Sequence, residues 1–283
     1  MIEYLTEPFE YQYMIRAMWV SALVGCVCAF LSCYLMLKGW SLMGDALAHA
    51  VVPGVALAYL LQLPYAAGAF IAGMIAAGGM AFIKQKTSLR EDTIIGLVFT
   101  TFFAVGLLIV SINPVTVNIQ SIILGNILAI TDKDVVQVVA ISVSSLLCLL
   151  VFWKSFIAVF FDEDHAHSIG LPVMALKVLF FTVLSASTVA ALQTVGACLV
   201  IAMVITPGAT AYLFTDRFGI MIVLAVLLGS LSSAIGAYAS FYINASTGGV
   251  IVTLQTLIFF AAFVFAPKHG MLAGKMRGKR GQA

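Results

Sequence analysis

A chain of 283 residues that is 63% hydrophobic and 9% charged, with a mean hydropathy of +1.12, does not have the composition of a water-soluble globule, in which about a quarter of residues are charged. Lipid has to be the solvent for most of its surface, which excludes soluble enzymes and nucleic-acid binders and leaves one all-α, polytopic membrane domain over 1–283. The net charge of +2 says little as a sum; its distribution along the chain sets the topology.

The N-terminal segment, Met1–Arg16, carries Glu3, Glu7 and Glu10 against Arg16. It lacks a basic stretch followed by a short apolar core and a small-residue cleavage site, so no cleaved leader is expected. A spanning helix needs roughly 20 apolar residues, and windows of that kind fall at 17–37, 46–62, 65–83, 94–112, 135–153, 174–193, 195–214, 218–243 and 249–266. The count is therefore about nine, with eight as the alternative. Asn113–Thr131 is too polar and short to cross, and reads as a re-entrant or surface helix. Lys84, Lys86 and Arg90 after the third span, Lys154 after the fifth, Arg217 after the seventh and the basic tail (Lys268, Lys275, Arg277, Lys279, Arg280) mark one side of the membrane. Positive loops stay inside, so the N-terminus is expected outside and the C-terminus in the cytoplasm, with Lys133 a minor exception. The tail itself reads as a topological anchor, with lipid or partner binding as the alternative.

Small residues in the spans, among them Gly68, Gly73, Gly78 and Gly79 in the third and Gly229, Ser233 and Gly236 in the eighth, are expected to let helices pack closely. Cys26, Cys28, Cys33, Cys148 and Cys198 lie in apolar runs without the spacing of a zinc site or a disulfide framework.

Of the twelve acids, eleven sit in the N-terminal tail or in charged loops. Asp45 starts an apolar segment instead, and His49 follows four residues later, on the same helical face. A carboxylate inside a bilayer costs about 2.5–3.5 kcal/mol on insertion scales and persists where it works. Carboxylate and imidazole together suit Mn²⁺, Fe²⁺ or Zn²⁺. One pair is half a site, so metal binding predicts a second copy or a partner chain bringing another pair. The alternative makes Asp45 the N-cap of an entering helix. Pro53 and Pro207 interrupt their helices and are hinge candidates, static packing kinks being the other reading.

Between the fifth and sixth spans, FFDEDHAHSIGLP (160–172) collects Asp162, Glu163, Asp164, His165 and His167. The spacing fits no common zinc motif. A short surface helix that docks onto a cytoplasmic partner fits better, with acids in its first turn and Gly170 and Pro172 as stops. The chain has no G-x-x-x-x-G-K-S/T phosphate loop, no H-E-x-x-H and no G-x-S-x-G, so it carries no ATP site or hydrolase motif of these kinds.

SLMGDALAHAVVPG (41–54), FFDEDHAHSIGLP, VAALQTVGACLVIAMVITPGATAYL (189–213) and the ending FAPKHG (265–270) resemble the permeases of the manganese/iron/zinc ABC importer family, over essentially the whole chain, and most of all its Gram-negative manganese and chelated-iron members. The resemblance implies a bacterial inner-membrane permease that works as a homo- or heterodimer. It also implies a cytoplasmic ATPase dimer that docks on 160–172, and a periplasmic or lipoprotein metal-binding protein that delivers the ion. Asp45 and His49 match the family's proposed metal ligands, and Val51-Val52-Pro53-Gly54 favours Mn²⁺/Fe²⁺ over Zn²⁺. The ion is a transported substrate, with no permanently bound cofactor expected. A secondary active metal transporter and an intramembrane metalloenzyme are the rival readings. The first would often show internal repeats, and none is convincing here; the second lacks a third ligand and a general base at motif spacing.

Overall fold

A computed structural model of the chain describes residues 6–40, 42–112, 130–268 and 270–271. Among these there is no strand; a 3-10 turn (Glu7–Glu10) precedes ten α-helices: α1 Gln12–Lys38, α2 Met43–Leu60, α3 Tyr65–Lys86, α4 Glu91–Ile112, α5 Asp132–Phe161, α6 Glu163–Ser168, α7 Val173–Val195, α8 Ala197–Phe214, α9 Phe218–Ile243 and α10 Thr247–Phe265. Lipid offers no partner for a backbone amide, so each crossing segment bonds within itself as a helix. The nine long helices map one to one onto the nine expected spans, each of them 18 residues or longer. The expected re-entrant segment at 113–131 falls almost wholly outside the described residues, as does most of the basic tail.

The fifth span runs past its expected end. Lys154 reads as a boundary in sequence, yet α5 continues to Phe161. A lysine can keep its stem along the helix while the ammonium reaches outward, and Lys154 Nζ lies over the Trp153 ring, 5.7 Å from its centroid. Beyond it, Phe156 and Phe160 are buried and give the extra turns a reason to stay helical.

α1 is the central helix. It packs along α9 and α8 and touches α5 and α7, while α2, α3 and α4 form a second group on the other side of α7 and α8. Glycines set the closest approaches. A Cβ on Gly25 would stand 2.6 Å from the Gly229 carbonyl oxygen, and one on Gly229 2.8 Å from that of Gly25. Gly54 of α2 and Gly68 of α3 meet backbone to backbone in the same way. Gly78 and Gly79 do not follow the packing expectation: nothing lies within 4 Å of where their Cβ atoms would be. Gly196 alone separates α7 from α8, at φ 85°, ψ 164°, a conformation that only glycine adopts without strain.

One end of the bundle gathers the ends of α1, α3 and α5 and the starts of α2, α4 and α7. Just above it Tyr34 anchors an aromatic cluster with Phe156, Phe160, Phe180 and Phe218 at centroid distances of 5.1–6.0 Å, and the Tyr34 hydroxyl donates to the Trp153 carbonyl at 3.1 Å. At the opposite end Arg16 pairs with Asp132.

Packing this tight has a testable cost. Gly25→Leu should lower the thermal midpoint of the detergent-purified protein, overpacking of a filled contact costing about 1–3 kcal/mol. Gly78→Ala should leave it unchanged or raise it, because the methyl enters open space and alanine is the better helix former.

Candidate functional site

Asp45 is the third residue of α2, and the N-cap position belongs to Leu42, with no side-chain cap. The capping alternative is therefore removed. One turn on, His49 Nε2 lies 3.3 Å from Asp45 Oδ1. Their neighbours Ala46, Leu47, Ala48 and Ala50 are 0–2% exposed, whereas the two polar side chains are 33% and 31% exposed. The first turns of α2 thus present one open polar stripe between buried neighbours, while Leu57 and Leu60 of its last turns are exposed apolar residues. The His49 ring is walled by Phe99 and Phe103 of α4, edge-on at 5.2 and 5.5 Å, which leaves the carboxylate side as its polar outlet. Among the described residues no third His, Cys, Asp or Glu joins the pair.

Pro53 sits inside α2 without breaking it. Proline has no N–H, so the His49 carbonyl, four residues earlier, loses its usual helical donor. Gly106 of α4 makes room for the ring: a Cβ there would lie 3.0 Å from Pro53 N and 3.1 Å from its Cδ. Pro207 also lies inside a continuous helix, but that helix is clamped. Ser32 of α1 donates to the Ile205 carbonyl at 3.0 Å and accepts from the Gly208 N–H at 3.1 Å. A bend at Pro207 must carry α1 with it or break both bonds.

The charged interruption at 160–172 forms the six-residue helix α6. Asp162 caps it, its Oδ1 accepting from His165 N–H at 3.0 Å. The chain leaves through Gly170 at φ 79°, with Gly170 N–H donating to His167 O and Leu171 N–H to Ala166 O; α7 starts right after Pro172. Asp164, His165 and His167 face outward and are exposed, while Ala166 is buried under them. Glu163 differs from its acidic neighbours. It turns into the bundle and receives Lys38 of α1 at 3.0 Å and Lys177 of α7 at 2.5 Å. The two lysines escape a sequence reading because each is a single basic residue at a span end; their signal is the absence of any acid on their own helices near them.

Partial burial works to raise the Glu163 pKa, but the hydrogen bonds from Lys177 and Lys38, together with their charges, outweigh it and hold the carboxyl below its ordinary value. A depressed pKa means that the tie is present above the unfolded-state value and is lost as the pH falls through the folded one. The protection factors of the α6 amides, that is, their exchange rates relative to the intrinsic rates at each pH, should therefore hold from neutral pH down to the ordinary carboxylate range and fall only in stronger acid. Glu163→Gln should show reduced protection at every pH, with the Asp162 cap and the Gly170 exit still holding the helix.

A second set of contacts lies beside the first. Trp40 Nε1 donates to Glu91 at the start of α4, and Lys84 at the end of α3 reaches the same carboxylate at 3.5 Å. Lys268 pairs with Asp216 at the same end of the bundle. The helix ends that positive loops mark in sequence are thus tied together by ion pairs.

The model of the ABC 3 transport family matches residues 10–266. The chelated iron transport system membrane protein YfeC of Yersinia pestis is 66% identical over 98% of this chain and 94% of that protein. The manganese transport system membrane protein MntB of a Synechocystis strain is 46% identical over 98% of this chain and 91% of that protein. Among solved structures, PsaBC from Streptococcus pneumoniae in complex with Fab is similar over 97% of this chain and 100% of the matched chain, at a TM-score of 0.85 and 34% identity.

Proposed function

The chain belongs to the ABC 3 transport family, and on that footing we propose that it is the permease subunit of an ATP-driven importer whose substrate is Mn²⁺ or Fe²⁺. It is a multi-pass bacterial membrane protein. The observation that carries the reading is the Asp45–His49 pair: an oxygen and a nitrogen 3.3 Å apart, each side chain a third exposed, in a turn whose intervening residues Ala46, Leu47 and Ala48 are buried. A carboxylate on a face open to hydrocarbon is expensive. The stripe is therefore covered by protein or bathed in water, and a second permease with its own pair does both. Two carboxylates and two imidazoles across an axis complete a coordination shell for a borderline-hard divalent ion.

The end of the bundle bearing Lys38, Lys84, Lys177 and Lys268 faces the cytoplasm, by the positive-inside rule, and the N-terminus faces outward. A binding protein delivers the ion there. On the cytoplasmic side α6 receives the ATPase through Asp164, His165 and His167. Asp162 shapes the helix by capping it. Glu163 passes its movement inward: a shift of α6 pulls Lys38 and Lys177 together, and with them α1 and α7, which the aromatic cluster around Tyr34 makes one stiff body. Rigid helices moving against each other are a usual means of switching access. Pro53, which gives the His49 carbonyl no N–H donor, is where α2 yields as the ion passes. The ion is held loosely enough to leave.

Asp45→Ala should leave expression and assembly with the ATPase intact and cut ⁵⁴Mn or ⁵⁵Fe uptake by at least the roughly 10–100-fold that loss of a lesser metal-site partner causes. Uptake at the wild-type rate would remove the pair from the pathway.

The two roles given to α6 separate in one experiment. Asp164→Lys should weaken copurification of the ATPase. Glu163→Gln should leave copurification unchanged and lower the ions transported per ATP hydrolysed. The reverse pattern would exchange the assignments.

A further inference from the structure

The two ion-pair clusters at the cytoplasmic end flank a cavity of about 400 Å³ between α3 and α7, a size within the small-ligand range of roughly 300–1,000 Å³. Its polar groups sit at one place, the mouth, where Lys84 and Glu91 face Lys177, Glu163 and His167. Below the mouth the walls are apolar: Met74, Gly78 and Ala81 on α3, Val178 and Phe181 on α7, with Met174, nearer the start of α7 than Lys177, bordering the mouth itself. Gly78 faces open space, nothing standing within 4 Å of where its Cβ would be. Met174 and Val178 are 56% and 50% exposed, so the rim is open on the lipid side. From Lys84 down to Met74 is ten residues of α3, about 15 Å at 1.5 Å per residue. That is half of a hydrocarbon core about 30 Å thick, the depth of one leaflet.

We propose that this cleft is a binding site for one phospholipid of the adjacent leaflet, with an acyl chain between α3 and α7 and a primary-amine, zwitterionic head group at the mouth. The apolar walls suit a chain, and a dry void there would forfeit van der Waals contact on all its sides. The mouth selects the head group by charge. Two ammonium groups, each bonded to a carboxylate and each with further N–H donors, receive the phosphate. The two carboxylates, Glu91 and Glu163, accept from the lipid's own ammonium. A purely anionic head group would meet those carboxylates unfavourably, and a quaternary ammonium has no N–H to donate. The metal ion does not use this route, because the interior below the mouth offers no oxygen or nitrogen ligand. The site is independent of the Asp45–His49 assignment and stands or falls without it.

Trp40 lines the cavity and gives the readout. The assembled transporter carrying Trp19→Phe and Trp153→Phe in this chain, with the tryptophans of its partner chains replaced by phenylalanine, is reconstituted into vesicles of phosphatidylethanolamine brominated near the head-group end of its chains. Bromine quenches tryptophan on contact. Quenching of Trp40 is expected, stronger than in brominated phosphatidylglycerol or phosphatidylcholine vesicles, with loss of quenching when Gly78→Phe or the milder Ala81→Leu fills the cleft. Three results would overturn the proposal: no quenching in any vesicle, equal quenching by all three head groups, or quenching that both filled variants retain. A disulfide between two copies carrying Gly78→Cys would also overturn it, by showing that a second permease covers the cleft.

Discussion

A carboxylate and an imidazole one turn apart, with packed residues between them, set the terms for the rest of this molecule. Lipid makes every backbone group bond within its helix and makes every lone charge costly. The structure meets the second condition in two ways. At the lysine-bearing end of the bundle, charges are paired across helix ends: Lys38 and Lys177 on Glu163, Lys84 on Glu91, Lys268 on Asp216. Along α2 the Asp45–His49 pair is left a third open, with aromatic walls on one side. That openness is the feature of a single chain that calls for a partner.

The same economy equips α6 for both roles proposed for it, docking and transmission. A six-residue helix is too short to be stable by itself. It is held by the Asp162 cap, the Gly170 exit and the Glu163 bridge, and the bridge ends on the two helices that the Tyr34 cluster joins. Force applied to the outer face therefore reaches α1 and α7 without passing through a loop. At Pro207 the Ser32 clamp extends that stiff body to α8, whereas Pro53 lies in the other helix group, against Gly106.

Much of this was legible in the sequence because hydropathy and charge act over whole segments. The nine windows became nine helices, and the alternation of basic loops became one end of the bundle. Single residues were less legible wherever their partner is far along the chain. Lys154 looked like a boundary, but its stem lies along a helix that Phe156 and Phe160 continue. Glu163 looked like its acidic neighbours until Lys38 and Lys177 came up beside it from 125 and 14 residues away. Gly78 and Gly79 looked like Gly68, yet only Gly68 meets a facing glycine; whether a small residue closes a contact or opens a cleft depends on the neighbouring helix. The Asp45–His49 pair was readable because its two members are local to each other, and the helical period alone puts them on one face.

The central claim is that two such pairs meet around the transported ion. Anomalous diffraction at the manganese edge, from crystals of the assembled permease dimer soaked in Mn²⁺ in its occluded state, tests it most directly. The account predicts an ion on or near the dimer axis, within bonding distance of an Asp45 oxygen and a His49 nitrogen from this chain. An ion bound elsewhere in the membrane region, with those side chains turned away from it, would contradict it.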